Sequence, residues 1–272
     1  MFVDWLKSQN KTSWTIKQIK NYAIKYASVL DTGDASPLLG LSPRNRHHAM
    51  VSLANLAKYE GRYDVWAAIR NRYSLKWTSG NESLQALQRF FNPDTSTSLD
   101  GMLQQIRLMI KKTPTLMGKI IKFGVLVGLR SAEIVESVRL INSGVYTLQY
   151  YNPEQQVLQH YKFPQFLRTT KKAYLSFVSP EMLENVRTHK SEQVPSYNAI
   201  RLTCQRRGIT CDMRYCRKIH ATYLHQEGIP VEIIDALQGR TPANIFAKWY
   251  YRPSLHYRSK VLQALEKLKN QL

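Results

Sequence analysis

The sequence predicts a mainly α-helical protein of two domains, the second of which carries a small antiparallel β-sheet. Apolar residues recur at helical spacing through most of the 272 residues. The run 92–98, NPDTSTS, consists of turn-forming and small polar residues and is typical of an exposed linker. Three stretches between 145 and 178 are rich in Tyr, Val and Phe, which favour strands.

The first domain, residues 1–92, is expected to be a bundle of helices. Four apolar residues at helical spacing predict the first of them: Ile16, Ile19, Ala23 and Tyr26. Ser42 and Pro43 form an N-cap and first-turn pair for a second helix, which Gly61 is expected to end. Two shorter helices follow over 63–73 and 83–91, each with an apolar stripe and a basic flank.

A linker over 93–98 separates this bundle from the second domain, residues 99–272. The apolar spacing of the second domain predicts helices over 99–112, 116–127, 214–227, 231–237 and 255–272. Its β-rich stretches predict strands over 145–151, 157–163 and 173–178. Because Asn-Pro and a basic turn separate these strands, we expect one small antiparallel sheet.

The charge of the chain points to a polyanionic partner. The formal net charge is +20, with 13 basic against 7 acidic residues over 1–98 and 26 against 12 over 99–272. Such an excess repels itself unless a polyanion balances it, so nucleic acid is the first candidate. A content of 43% hydrophobic residues excludes wholesale disorder. The longest central apolar run, 123–129, is far shorter than the roughly 20 residues of a membrane span, so we expect a soluble intracellular protein.

Metal chemistry is not favoured by the sequence. Three cysteines, Cys204, Cys211 and Cys216, precede His220, but no pair has the close spacing of a zinc site. An odd number of cysteines fits a reducing compartment, and buried thiols are the preferred interpretation. The histidines form no metal-binding motif and the acidic residues do not cluster, which argues against a metal-dependent nuclease.

Three clusters in the second domain carry the chemistry. In the first, GLRSAEI at 128–134, Arg130 and Glu133 lie on one face at the start of a helix, so the carboxylate can orient the guanidinium towards a phosphate. The second begins with Arg214 and Arg217, also on one face at a helix start, where free N–H groups favour an anion. The third is LQGR at 237–240, which WYY follows at 249–251.

These three clusters, in this order and at this spacing, resemble the motifs of the tyrosine recombinases. The resemblance covers about residues 99–256, and the LQGR…WYYRP form is most similar to integrases of archaeal viruses and plasmids. It implies a catalytic domain over 99–272 behind a core-binding domain over 1–92. It also implies a site-specific recombinase that cuts and rejoins double-stranded DNA at attachment sites through a 3′-phosphotyrosyl intermediate, without a metal or other cofactor. The element integrated or excised would be a virus, provirus or plasmid, and the protein would act in the cytoplasm of an archaeal host.

The resemblance also implies a role for each site residue. Tyr250, ten residues after Arg240, is the expected nucleophile, with its neighbour Tyr251 as the alternative. Lys171 is the expected general acid, with Lys172 as the close alternative and Lys162 a distant third. Four arginines would contact the phosphate, with Glu133 in support: Arg130, Arg214, Arg217 and Arg240.

Two positions depart from the common pattern of the family. Arg214 stands where most members have His, and Arg240 stands where His or Trp is usual. Arginine keeps a hydrogen-bond donor for the phosphate. Because its pKa lies above about 12, it does not shuttle protons as imidazole does, so general-base help at 214 is in doubt.

Two further surfaces have predicted roles. Five basic residues of the first domain are expected to contact DNA phosphates, with a solvated helix face as the alternative: Arg44, Arg46, Arg70, Arg72 and Lys76. The last helix has an apolar stripe at Val261, Leu262, Leu265 and Leu268. In the family such a helix docks into a neighbouring protomer and gives a homotetramer on paired DNA sites; packing onto its own domain fits the sequence equally well.

Two other functions compete with recombination. A type IB topoisomerase would use the same chemistry to relax DNA, although the helical front domain and the LQGR…WYY segment suit an integrase better. A DNA-binding protein without remaining activity is the second alternative. Retention of Arg130, Lys171, Arg217 and Tyr250 argues against it.

Overall fold

The computed structural model describes residues 1–77, 98–143, 149–168, 171–188, 193–240 and 256–272. The chain divides into two compact units, residues 1–93 and 94–272. Most of the described residues are helical and a single three-stranded antiparallel sheet lies in the second unit, so the predicted fold class is confirmed. The predicted helix over 83–91 and all of the predicted linker except Ser98 lie outside the described residues.

The described part of the first unit is built from helices: α1 (Phe2–Ser8), α2 (Ser13–Tyr26), α3 (Ser28–Thr32), α4 (Ser36–Leu39), α5 (Pro43–Tyr59) and α6 (Tyr63–Arg72). Ser42 caps α5 by accepting a hydrogen bond from the Asn45 N–H at 3.4 Å, and Pro43 occupies its first turn, as the sequence predicts. Helices α2 and α5 pack on each other, and α6 packs on α5. The core between them contains Trp66, which is fully buried.

The second unit contains the longer set of helices: α7 (Leu99–Lys112), α8 (Thr115–Val127), α9 (Ser131–Ile141), α10 (Pro180–Glu184), α11 (Tyr197–Arg206), α12 (Arg214–Gln226), α13 (Val231–Leu237) and α14 (His256–Asn270). Helix α8 is apolar on nearly all sides and packs against α7, α9, α12 and α14, so it forms the centre of the core. Gly128 ends α8 with a φ of +63°, which lets the chain turn directly into α9. This turn places Arg130 at the N-cap of α9, two residues after Gly128.

The sheet consists of three two-residue strands: β1 (Tyr151–Asn152), β2 (Val157–Leu158) and β3 (Ser176–Phe177). Strand β2 is central, with Tyr151 opposite Leu158 and Val157 opposite Phe177. The antiparallel sheet is confirmed, but the strands are shorter than predicted because the chain leaves β2 in two 3-10 turns, His160–Lys162 and Pro164–Phe166. Residues 145–148 of the predicted first strand lie outside the described residues.

A buried polar network ties the sheet region to α9. The His160 ring lies 2.8 Å from the Tyr150 hydroxyl through Nδ1 and 2.9 Å from Ser176 Oγ through Nε2. The Tyr150 hydroxyl donates to Ser137 Oγ of α9 at 2.7 Å. All four residues are buried, and burial lowers the pKa of His160 to about 3. The ring is therefore neutral at physiological pH.

Helix α14 packs onto its own domain. Three residues of its predicted apolar stripe are buried in the core of the second unit: Val261, Leu265 and Leu268. Ion pairs from Lys269 to Glu181 at 2.7 Å and from Lys267 to Glu227 at 2.6 Å attach the helix to α10 and to the end of α12. Of the two alternatives for this helix, the described chain has the intramolecular one. None of the described helices is long and apolar enough to cross a membrane.

Candidate active site

An open cavity of about 440 Å³ in the second unit is lined by basic side chains. It lies where the start of α9, the start of α12 and the end of α13 meet. The four arginines that the sequence predicts as phosphate contacts all line it: Arg130, Arg214, Arg217 and Arg240. Lys218 adds a fifth basic side chain. Residues separated by up to 110 positions in the chain therefore converge on one basic surface.

Arg130 is oriented by the carboxylate of Glu133. Arg130 Nη1 donates to Glu133 Oε1 at 2.9 Å, and the Arg130 backbone N–H donates to Oε2 at 3.0 Å. The Glu133 side chain is only 3% exposed, so this pair is shielded from solvent on the carboxylate side. Both bonds fix the first turn of α9 and leave Arg130 at the cavity wall.

Arg217 connects the first and third sequence clusters. Its guanidinium donates to the carbonyl of Gly128 at 3.3 Å and to that of Gln238 at 2.5 Å. The Gln238 side chain returns a hydrogen bond to the Arg217 carbonyl at 2.8 Å. Burial, together with the charges of Arg130 and Arg240, lowers the pKa of Arg217 to about 10. The guanidinium remains positive at neutral pH, but an anion in the cavity would offset the charge repulsion.

The other two arginines lie at the exposed rim of the cavity. Arg214 donates to both carboxylate oxygens of Asp212, at 2.8 and 2.6 Å, and this pairing raises the pKa of Arg214. Arg240 donates to Asp235 at 2.8 Å. Sequence reasoning missed both aspartates. A phosphate entering the cavity would compete with them for these guanidiniums.

The predicted lysines lie on a turn beside Arg130, which we call the lysine turn and define by Arg168, Lys171 and Lys172. The Lys172 carbonyl accepts a hydrogen bond from Arg130 Nη1 at 3.2 Å. Gly239, with a φ of +65°, packs closely against the same carbonyl. A Cβ at this position would come within 1.8 Å of the Lys172 oxygen. The backbone of the turn is thus held between α9 and the segment that follows α13. Both lysine side chains are exposed, so the choice between them stays open.

Sequence reasoning also missed a contact of Arg168. Its Nη2 donates to Glu133 Oε1 at 2.9 Å, the same oxygen that binds Arg130. The only sequence signal for this contact was the position of Arg168 at the start of a basic turn. This signal is weak, because basic residues in turns are most often solvated.

The predicted nucleophile cannot be placed. Tyr250, the alternative Tyr251 and the preceding Trp249 lie in 241–255, outside the described residues. Arg240, the last described residue before this segment, lines the cavity.

The predicted DNA contacts of the first unit fall on two helix ends. Arg44 and Arg46 lie in the first turns of α5, and Arg70 and Arg72 lie in the last turn of α6. Trp77 links these ends, since its carbonyl lies 3.0 Å from His47 Nδ1 and its ring lies 5.9 Å from the Arg70 guanidinium. Arg70 therefore lies beside the Trp77 ring, and Arg44 and Arg46 lie at the start of the helix that carries His47. Arg72 lies on another face, near Gly33, and Lys76 is exposed.

The described residues contain no group of His, Cys, Asp or Glu side chains that could hold a metal ion. Cys204 and Cys216 are buried, and burial raises the pKa of the Cys216 thiol. Both cysteines belong to the hydrophobic core of the second unit.

Comparison with known protein families gives one match. The model of a family described as archaeal phage integrase matches residues 100–266. The matched range contains all four cavity arginines, the lysine turn and both candidate tyrosines. No curated protein sequence matches the chain.

Proposed function

The chain belongs to the archaeal phage integrase family, and we propose that it is a site-specific DNA recombinase that cuts and rejoins strands through a tyrosine. Family membership supports an integrase role with DNA as the partner. The observation that carries the specific mechanism is the convergence of four arginines on one open cavity. Such a concentration of positive charge suits an anionic substrate.

The arginine cluster fits the electrostatic demand of phosphoryl transfer. Negative charge accumulates on the nonbridging oxygens in the transition state, and preorganised donors aimed at them stabilise it. Arg130 and Arg217 are held by hydrogen bonds before any substrate arrives. Arg214 and Arg240 would exchange their carboxylate partners for phosphate. Four guanidiniums can supply the positive charge that a metal ion provides in other enzymes.

The proposed reaction has two reversible steps. The phenolic oxygen of Tyr250 attacks phosphorus after its proton passes to water, the bond from phosphorus to the 5′ oxygen breaks, and Lys171 donates a proton to that oxygen. The product is a 3′-phosphotyrosyl link and a free 5′-hydroxyl. A 5′-hydroxyl from another strand then attacks the link and releases the tyrosine. One phosphodiester replaces another, so no high-energy cofactor is needed.

The first unit is proposed to hold the DNA on which the second unit acts. Arg44 and Arg46 at the start of α5 and Arg70 beside Trp77 would contact phosphates, with Arg72 and Lys76 nearby in sequence. Two basic units on one chain raise the effective concentration of each at the DNA. Recombination between two sites requires several protomers, and we propose a homotetramer on paired attachment sites.

Covalent trapping tests this function. Nicked duplexes of randomised sequence, incubated with the full chain in excess chelator, are expected to yield covalent adducts whose DNA reveals the cleaved site. Mass spectrometry of the adduct is expected to place the DNA on Tyr250. Tyr250→Phe should abolish adducts and leave DNA binding unchanged, while the matched variant Tyr251→Phe should still form them.

The other outcomes discriminate the alternatives. Adducts that Tyr251→Phe abolishes and Tyr250→Phe does not would move the nucleophile by one residue. Adducts with relaxation of supercoiled plasmid but no strand exchange between the recovered sites would indicate a topoisomerase. DNA binding without any adduct would indicate a protein that has lost the activity.

A further inference from the structure

We propose that Arg168 is a positioning residue that holds the lysine turn against the arginine cluster through the buried carboxylate of Glu133. The inference rests on the proposed function, because it concerns the delivery of the general-acid lysine. It adds a residue to the site that none of the three sequence clusters contains.

Glu133 binds two guanidiniums at once. Its Oε1 accepts from Arg130 and from Arg168, each at 2.9 Å, while its Oε2 accepts the Arg130 backbone N–H. Because the carboxylate is only 3% exposed, water would not readily replace a guanidinium that is lost from it. A single carboxylate therefore couples Arg168 to the arginine at the cavity wall.

Both ends of the lysine turn attach to this same pair. At its start, Arg168 reaches Glu133 through its side chain, and its carbonyl accepts the Lys171 N–H at 3.3 Å. At its end, the Lys172 carbonyl accepts from Arg130 Nη1. The contacts form a closed ring from Arg168 through Glu133 and Arg130 to Lys172. Removal of the Arg168 guanidinium opens the ring at the Glu133 side, while the backbone pairing of Leu167 with Lys172 and the Arg130 contact stay in place.

Arg168 acts through other residues and does not contact the phosphate. Its guanidinium is bound to Glu133, whereas the exposed side chains of Lys171 and Lys172 have no ion pair in the described structure. None of these three residues belongs to the described lining of the cavity, and Arg130 does. Loss of its guanidinium should therefore change the placement of the lysine ammonium more than the charge at the scissile phosphate. The expected consequence is a defect in leaving-group protonation with nearly normal DNA binding.

A matched control exists on the neighbouring helix α9. Arg139 pairs with Glu136 at 3.4 Å, and its side chain is 48% exposed, as is that of Arg168. Arg139→Gln therefore removes one equally exposed arginine and one ion pair without touching the lysine turn. Any general effect of lost charge on DNA binding should appear in this variant too.

The test compares two substrates in adduct formation by the full chain. One is the cleaved duplex recovered by covalent trapping, and the other is the same duplex with sulfur in place of the 5′-bridging oxygen at the scissile phosphate. A thiolate leaves without protonation, so the sulfur substrate bypasses the general acid. We expect Arg168→Gln to slow adduct formation on the oxygen substrate by about 10- to 100-fold, at or below the lower end of the roughly 10²–10⁴-fold that general acid catalysis contributes, because the lysine is displaced and not removed. On the sulfur substrate the loss should fall below about threefold, as for Lys171→Ala/Lys172→Ala.

A triple variant gives an independent measure. If Arg168 acts only through the lysines, adding Arg168→Gln to Lys171→Ala/Lys172→Ala should cause no further loss on the oxygen substrate. Arg139→Gln should match the wild-type chain on both substrates.

Each contrary result has a separate meaning. An equal loss by Arg168→Gln on both substrates, or no loss on either, would overturn this inference while the wild-type adducts uphold the proposed function. A wild-type chain that forms adducts with neither substrate would overturn the proposed function and this inference with it.

Discussion

Gly239 illustrates how one residue can determine the geometry of the site. Its φ of +65° disfavours any other residue, and a Cβ would meet the Lys172 carbonyl at 1.8 Å. Arg130 donates to that same carbonyl from the other side. The lysine turn can therefore occupy this position because residue 239 has no side chain, as well as because Arg130 binds the carbonyl.

We expect Gly239→Ala to lower adduct formation by at least about tenfold, since displacing the turn moves a group whose protonation step contributes about 10²–10⁴. Gly208 is the matched control, because its φ is +69° and a Cβ there would meet no atom within 4 Å. Gly208→Ala should lower the free energy of unfolding by about 1–2 kcal/mol through backbone strain alone and leave adduct formation unchanged. Equal activity in both variants would contradict the proposed contact, and thermal melts would report the strain.

Contacts of the site residues can be predicted from the sequence when the two partners lie close together in the chain. Arg130 and Glu133 are three apart on one helix, so their ion pair could be predicted, and it is present at 2.9 Å. Arg168 lies 35 positions from Glu133 and belongs to no motif, so only the folded chain reveals the contact. The exchange of hydrogen bonds between Arg217 and Gln238 was missed because the two residues, although each lies in a cluster, are 21 positions apart.

At the scale of elements, the network around His160 links the sheet region to α9 and sets a dependence on pH. The folded state holds the ring neutral, with a pKa of about 3 against 6.5 for the exposed group. Below pH 6.5 the unfolded chain therefore binds a proton that the folded chain does not, and stability falls as the pH drops towards 3. His220, also buried, has a pKa of about 4 and acts in the same direction.

We expect the free energy of unfolding of the wild-type chain to fall between pH 7 and pH 5, with about 2 kcal/mol of the loss due to His160. His160→Gln should remove that share of the pH dependence, whatever its effect at pH 7. The exposed His225 provides the control, and His225→Gln should retain the full dependence. Urea unfolding at the two pH values measures this change in the free energy of unfolding for both variants. An unchanged pH dependence in His160→Gln would contradict a neutral buried ring.

Element boundaries show where sequence periodicity is informative. Helix α7 was predicted with its observed bounds and α8 within one residue, because each has a continuous apolar stripe and a clear end. The second strand was predicted to reach 163 but ends at Leu158, since the same aromatic composition serves here to bury His160 and Phe166 in 3-10 turns. In the predicted second strand, 157–163, the composition thus indicated that side chains are buried, but it did not indicate the backbone geometry.

At the scale of the whole molecule, the charge excess is distributed over both units. The second unit concentrates charge around the cavity, while in the first Arg44 and Arg46 lie at the start of α5 and Arg70 lies beside Trp77. DNA binding that uses both surfaces should depend steeply on salt, because each neutralised phosphate releases counterions.

We expect Arg44→Ala/Arg70→Ala to weaken DNA binding and to lower the slope of log K against log salt by about two. The control is Lys7→Ala/Lys267→Ala, which removes two charges that are already paired with Asp4 and Glu227. Its slope should stay near that of the wild-type chain. Binding titrations between 50 and 200 mM salt separate the two variants, and equal slopes would exclude Arg44 and Arg70 as DNA contacts.

The burial of α14 in its own domain also affects how fast protomers could associate. To lend this helix to a neighbour, a protomer must first expose Val261, Leu265 and Leu268 and break the links from Lys267 and Lys269. This opening is a kinetic barrier, because the exposed apolar residues are buried again only when the helix packs into the equivalent groove of a neighbouring protomer. Assembly by helix exchange would therefore be slow in dilute solution and fastest where DNA holds several copies together.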